Sequence, residues 1–200
     1  MKILIIGGRG TIGRKVAERL SEKHEVIIAS RNSGDFFVDI SKPESIRQVL
    51  EQIPSLDSIV CTAGEAKWDD FKDLSEADFY LGIKSKMMGQ INLVRIAQDF
   101  LKSRGSITLT TGILADDPVV KTTSAAMVNG AIHSFVKAVA LEIENEIRIN
   151  AISCGVVQDA YEKYKDFFPG YDPIPMDRVV NAYIKSVEGK INGQVVKVYS

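Results

Sequence analysis

Short apolar runs alternate with amphipathic stretches along the whole chain, and the alternation is tightest at its start. Ile3, Leu4, Ile5 and Ile6 are consecutive apolar residues, the pattern of a strand covered on both faces of a parallel sheet. From Thr11 the period changes, and Ile12, Val16 and Leu20 fall four apart on one face of a helix. Residues 25–30 predict a second strand and 35–39 a shorter third. Pro43 suits a first helical turn, and Ile46, Val49, Leu50 and Ile53 continue the helical spacing. Residues 58–61 predict a fourth strand, 75–102 a largely helical stretch with Gly82 and Gly89 as breaks, and 106–110 a fifth strand. A long helix follows over 124–144, with Met127, Ala131, Phe135, Ala138 and Val139 facing inward. A sixth strand over 147–153, a last helix over 177–187 and a seventh strand over 194–198 complete the pattern. This rhythm predicts an α/β fold with a doubly wound, parallel, seven-stranded sheet that binds ligands at the carboxyl ends of its strands.

The first strand and helix are joined by Gly7, Gly10 and Gly13, spaced as G-x-x-G-x-x-G. Gly7 permits a tight turn, Gly10 permits backbone to approach a pyrophosphate, and Gly13 permits the helix to pack close to the strand. The helix start offers free N–H groups and a positive dipole end to phosphates. Any tight strand-to-helix turn favours glycine, so the motif has force only because a strand precedes it and a helix follows. The stretch predicts an NAD(P)-binding Rossmann fold.

Composition narrows the classes further. The 200 residues suit one domain with a sizeable core, at 45% hydrophobic and 26% charged residues. A formal charge of −1 gives no electrostatic footprint for nucleic acid or an anionic membrane. No apolar run approaches membrane-spanning length, and a strand beginning at Lys2 leaves no room for a secretory leader. Cys61 and Cys154 match no metal or redox spacing, so the expectation is a cytoplasmic protein with free thiols and no metal centre. Only 158–175 breaks the rhythm, with three tyrosines, two phenylalanines and three prolines. That stretch serves either as a small substrate lid or as a connection capping the core.

The whole chain resembles a short member of the short-chain dehydrogenase/reductase family. The likeness begins at Gly7-Gly-Arg-Gly-Thr-Ile-Gly13 and continues at Val38-Asp39-Ile40-Ser41. Thr62-Ala63-Gly64 resembles the end of the family's Asn-Asn-Ala-Gly, with Cys61 and Thr62 at the two asparagines. Phe135-Val-Lys-Ala-Val-Ala-Leu-Glu142 with Ile147-Arg-Ile-Asn-Ala-Ile-Ser153 is the strongest stretch, and Gly193-Gln-Val195 resembles the closing strand. The resemblance implies a nicotinamide cofactor on Gly7, Gly10, Thr11, Ile12 and Gly13, with Asp39 and Ile40 at the adenine. Thr62, Ala63 and Gly64 would then border the ribose and nicotinamide. The second strand ends at Ser30-Arg31-Asn32, without the acidic side chain that accepts a bond from a bare 2′-hydroxyl. Arg31 offers a charged fork suited to a phosphate, and Arg9 could approach the same group, so NADP (NADPH) is the expected cofactor. The plainer alternative is that Arg31 is one more solvated arginine.

The family's catalytic residues are missing. The resemblance implies a Tyr-x-x-x-Lys on the long helix, a serine thirteen residues before the tyrosine and an asparagine on the preceding helix. An ungapped match puts Ala125, Asn129, Gly112 and Lys86 at these positions, and no tyrosine lies between Tyr80 and Tyr161. Two classes of function therefore compete. One is an NADP-dependent oxidoreductase acting on a small carbonyl or alcohol, its acid supplied by Lys86, Thr111, Ser124, Tyr161 or Tyr164. The other is a non-catalytic NADP-binding sensor or partner-regulating protein. Family members commonly pair through the helices here at 87–102 and 124–143. Met88, Ile91, Ala126 and Val136 are then candidates for a homodimer or homotetramer interface.

Overall fold

The computed structural model describes residues 1–199. Its seven strands are β1 (Lys2–Ile6), β2 (Glu25–Ser30), β3 (Phe36–Phe37), β4 (Leu56–Cys61), β5 (Leu101–Gly112), β6 (Arg148–Cys154) and β7 (Val195–Val198). All pair in parallel, in the order β3-β2-β1-β4-β5-β6-β7. The chain moves outward from β1 to β3 and then crosses back to β4 on the other side. The ends of β1 and β4 thus flank a topological switch point, where open α/β sheets hold ligands.

The helices are α1 (Thr11–Ser21), α2 (Pro43–Glu51), α3 (Glu76–Gly82), α4 (Met88–Ala97), α5 (Thr123–Val139), α6 (Tyr161–Tyr164) and α7 (Met176–Glu188). Alternate residues of β1 serve opposite faces of the sheet. Leu4 and Ile6 pack with Leu50, Leu93, Ile132 and Val136 of α2, α4 and α5, whereas Ile3 and Ile5 pack with Val16, Leu20, Val179 and Tyr183 of α1 and α7. Covering on both faces explains why the strand is an unbroken apolar run rather than an alternating one.

Polar residues inside this core fasten element ends. Arg148 donates to the carbonyls of Ser186 and Val187 at the end of α7 and to that of Ile191. Asn150 donates to Ser186 and Ile191 and accepts from the Gln194 backbone, which ties β6 to the approach of β7. Gln90 on α4 is fully buried, and its amide bonds both backbone groups of Thr110 at 3.0 and 3.2 Å. It supplies the pairing that β4 no longer offers beyond Cys61.

Three expectations need correction. The helical stretch predicted over 75–102 ends at Ala97, and β5 starts at Leu101, giving it 12 residues rather than five. Neither Gly82 nor Gly89 breaks the helix; the irregularity between them is a π-helical turn at Ile83–Met87. Gly89 instead allows close approach, because a Cβ there would lie 2.9 Å from the Ile40 side chain. The inner face of α5 is also different: Ala125, Val128, Asn129, Ile132, His133 and Val136 are buried. Met127 and Ala138, predicted inward, are exposed, and Val136, a candidate for the interface, is fully buried. The buried face carries Ser124, Asn129 and His133, so the uninterrupted apolar stripe in the sequence marks the neighbouring face.

Candidate functional site

The glycine turn forms the floor of a cleft above β1 and β4. Gly7 has φ +84, and a Cβ at Gly13 would lie 2.3 Å from the Gly7 carbonyl oxygen and 2.6 Å from Thr62 Oγ1. No side chain larger than hydrogen fits between α1 and the strand ends. Thr62 Oγ1 bonds the carbonyls of Ile6 and Gly7 at 3.2 and 3.1 Å, joining the tips of the two strands. Gly10 caps α1 without any side-chain hydrogen bond, and the first turn has no acidic residue. The first N–H groups of α1 have no acceptor within the helix and lie at the positive end of its dipole.

On one side of this turn lies a cavity of about 340 Å³. Gly7, Gly10 and the β2 end Ser30, Arg31 and Asn32 line it, with Asp39 and Ile40 opposite and Thr62, Ala63 and Gly64 at its edge. The Asp39 carboxylate accepts from Ser41 Oγ and N at 2.7 and 3.0 Å, and these bonds hold its pKa below the usual carboxylate range. Arg9 is exposed at the tip of the turn and lines neither cavity. Arg31 Nη1 lies 3.0 Å from Glu65 Oε1 at the mouth of this space. Glu65, whose backbone N–H donates to Ser85 Oγ at 3.3 Å, and Ser85 itself were not foreseen from sequence. The only signal for Glu65 was its place directly after Gly64.

On the other side the cleft deepens into a cavity of about 460 Å³, reached over Gly10, Thr11, Ile12, Gly13, Thr62 and Gly64. Lys86, Gly112, Ala125 and Asn129 all line it, so the four positions matched to the family's catalytic set converge. Its outer wall is aromatic. Trp68 stands 5.4 Å from Tyr164, 5.5 Å from Phe167 and 6.4 Å from Phe168 between ring centroids. Of the 158–175 excursion, Tyr164 and Phe168 line the cavity, and Phe168 also enters a third core cluster with Ile113, Leu114 and Ala125. Its neck is closed by bonds between Gln158 and Ile174 and between Ile174 and Val156. Trp68 was missed because it lies in an irregular stretch with no periodicity.

The candidate acids are not equivalent. Tyr161 lines neither cavity, and Ser124 is buried outside them with its Oγ unpartnered. Thr111 lines the inner cavity but its Oγ1 is 2.8 Å from His133 Nε2, and burial holds the His133 pKa down. Behind it, Asp116 binds Tyr199 Oη and pairs with Lys197 at 2.9 Å. Tyr164 is half-buried against Trp68. Lys86 projects from the π-helical turn into the inner cavity, and burial lowers its pKa. Asn129 is 3% exposed with Oδ1 unpartnered.

A family model described as enoyl-(acyl carrier protein) reductase matches residues 10–182. The protein lin1944 from Listeria innocua has a crystal structure similar over 100% of both chains, with TM-score 0.98 and 45% identity. A small-chain dehydrogenase in complex with NADPH is 28% identical with TM-score 0.88, covering 100% of this chain and 96% of that one. A short-chain dehydrogenase/reductase, ATR9, of Stachybotrys chlorohalonatus is 26% identical over 76% of this chain and 72% of its own. The chain belongs to the short-chain dehydrogenase/reductase family. Its fold is the Rossmann-like seven-stranded sheet of that family.

The residues present fit a nicotinamide dinucleotide. A Cβ at Gly10 would meet nothing nearer than the Gly7 carbonyl oxygen at 3.3 Å, so the turn's outer surface is open to a diphosphate. Among the described residues, no helix is long and apolar enough to cross a membrane.

Proposed function

We propose that this protein is an NADP(H)-dependent oxidoreductase interconverting a small carbonyl compound and its alcohol. The observation that carries the proposal is a cleft running from Arg31, over the glycine turn, to an aromatic-walled cavity at the four former catalytic positions. The NADPH complex of the relative at 28% identity supports the choice of cofactor. Bound there, the cofactor supplies a hydride at its nicotinamide ring. Gly10 and the start of α1 would hold the diphosphate, Asp39 and Ile40 the adenine, and Arg31 a 2′-phosphate. Thr62, Ala63 and Gly64 would border the nicotinamide ribose. Trp68, Tyr164 and Phe168 would exclude water and hold an apolar substrate body.

Ala125 has no group to move a proton, which is the observation favouring the second reading, a non-catalytic NADP-binding sensor. Consumption of NADPH with a panel of aromatic aldehydes and ketones separates the two. Turnover dependent on the aromatic wall supports the enzyme; tight NADPH binding with no turnover supports the sensor. We further infer a cytoplasmic homodimer or homotetramer. Half-buried Met88, Ile91 and Ala126 and exposed Met127 supply apolar surface on α4 and α5 for such an assembly.

A further inference from the structure

Lys86 is held at its backbone and along its stem, while its ammonium has no protein partner among the described residues. Its backbone lies in the π-helical turn, a form of helix that recurs at functional sites because it re-aims side chains. Its stem lies against Gly64, which has φ +123; a Cβ there would come within 2.9 Å of Lys86 Cα and Cγ. Gly64 is thus required both by its backbone conformation and by the lysine that crosses it. The side chain ends in the inner cavity, among Thr111, Gly112, Ala125 and Asn129.

Among the described residues, no carboxylate faces this ammonium. The groups that bear on its charge are the thiols of Cys61 and Cys154, each neutral because burial pushes its pKa up to about 11. His133 is the nearby imidazole on α5, and it too is favoured neutral by burial. The acidic residues lining the cleft are engaged elsewhere, Glu65 with Arg31 and Asp39 with Ser41. A cation taken from water without a counter-charge is costly, and an anionic ligand offsets that cost. Asn129 supplies an independent sign of a missing partner, since its buried Oδ1 has none and the side chain lines the same cavity. With the amide turned over, its NH2 faces the cavity and donates to an anion there.

We propose that the floor of the inner cavity is an anion subsite, where Lys86 and Asn129 receive the carboxylate of a small aromatic acid stacked against Trp68 and Phe168. Resting on the oxidoreductase reading, it makes the substrate a hydrophobic oxo or hydroxy acid rather than a neutral ketone. The apolar wall and the single unpaired charge select together: the wall disfavours phosphosugars and other highly polar anions, and Lys86 favours the acid over neutral aromatics of the same shape.

The test uses benzoate and its neutral isostere benzamide, titrated calorimetrically into the full-length protein with and without saturating NADP+. Benzoate should bind the NADP+ complex, and Lys86→Met should weaken it about tenfold to a hundredfold, the range for a charge-assisted hydrogen bond. Lys86→Arg should retain most of the affinity, Asn129→Ala should weaken it several-fold, and benzamide should be indifferent to Lys86→Met. Equal benzoate affinity in wild type and Lys86→Met, or no benzoate binding, would overturn the proposal. So would displacement of benzoate by NADP+, because the ammonium would then belong to the cofactor. Met is close to Lys in volume and removes an unpaired, half-buried charge, so a thermal melt of Lys86→Met should show undiminished stability. Carbonyl reduction is scored separately: benzoate binding without turnover leaves the subsite standing and removes the enzyme, and turnover without benzoate binding does the reverse.

Discussion

Cofactor choice at Arg31 depends on a residue that sequence did not reveal. Arg31 pairs with Glu65 at 3.0 Å, with the two side chains 63% and 48% exposed. An exposed pair of this kind is worth about 0.2–1 kcal/mol. A charge-assisted bond to a phosphate is worth about 1.5–3 kcal/mol, but Arg31 must first give up or share Glu65. The net preference for a 2′-phosphate over a 2′-hydroxyl is then about 1–2 kcal/mol, roughly five- to thirtyfold in affinity. Arg31→Ala should bring NADPH and NADH to near equality, because Glu65 is then free to accept a bond from a 2′-hydroxyl. Glu65→Gln should act in the opposite direction, tightening NADPH by about 1.5- to fivefold while leaving NADH unchanged or weaker. Calorimetry on the two single variants and the double variant gives the coupling directly. Raising the salt concentration should shrink the wild-type preference, since both partners lie at the surface. A Glu65→Gln protein that binds NADPH more weakly than wild type would refute this reasoning, as would an Arg31→Ala protein with the wild-type ratio.

Four further outcomes follow from the geometry. Gly13→Ala places a Cβ 2.3 Å from the Gly7 carbonyl oxygen, so NADPH binding should fall more than about tenfold by calorimetry, with the secondary structure retained by circular dichroism. Cys61 and Cys154 should resist thiol reagents in the native protein and react once it is unfolded. Their folded pKa values are raised to about 11, so their contribution to stability is complete below the unfolded value of about 8.5 and is lost as pH rises towards 11, which chemical denaturation across that window would detect. Combining Lys86→Asn, Gly112→Ser, Ala125→Tyr and Asn129→Lys rebuilds the family set around the same cavity, and NADPH-dependent reduction of a generic aromatic ketone should rise by about a hundredfold or more; Ala125→Tyr with Asn129→Lys alone should give less, because the new lysine would share the cavity with Lys86. Sedimentation should find an assembly larger than the 22.0 kDa chain, and a monomer at micromolar concentration would contradict the proposed association.

The succession of strands and the glycine turn were legible because both follow from local rules. A buried parallel strand must be apolar on both faces, and a turn closed against Thr62 admits only glycine. Convergence of Lys86, Gly112, Ala125 and Asn129 on one cavity was legible too, through the ungapped match to the family's catalytic pattern. The face of α5 was not, because a helix that turns Ser124, Asn129 and His133 inward toward a site defeats the rule that polar residues point outward. The extent of β5 was hidden for a related reason. Its first residues, Lys102 to Arg104, are polar and exposed and lie in an irregularity between the Leu56–Leu101 and Ser58–Ser106 pairs, which no pattern foretells. Glu65 and Trp68 sit in an irregular segment, where position depends on tertiary contacts with Arg31 and with Tyr164. The unpartnered state of Lys86 is a property of what surrounds it, and no local pattern encodes a missing neighbour.

The central claim is that this chain moves a hydride between NADPH and a small carbonyl compound despite Ala125. The most direct measurement is mass spectrometry of products formed from aromatic oxo acids and ketones with NADPH deuterated at the transferring position. The account predicts deuterium at the former carbonyl carbon, formed faster from the oxo acid than from the neutral ketone and lost in Lys86→Met. NADPH bound with measurable affinity, and no deuterium transferred to any member of the panel, would contradict it.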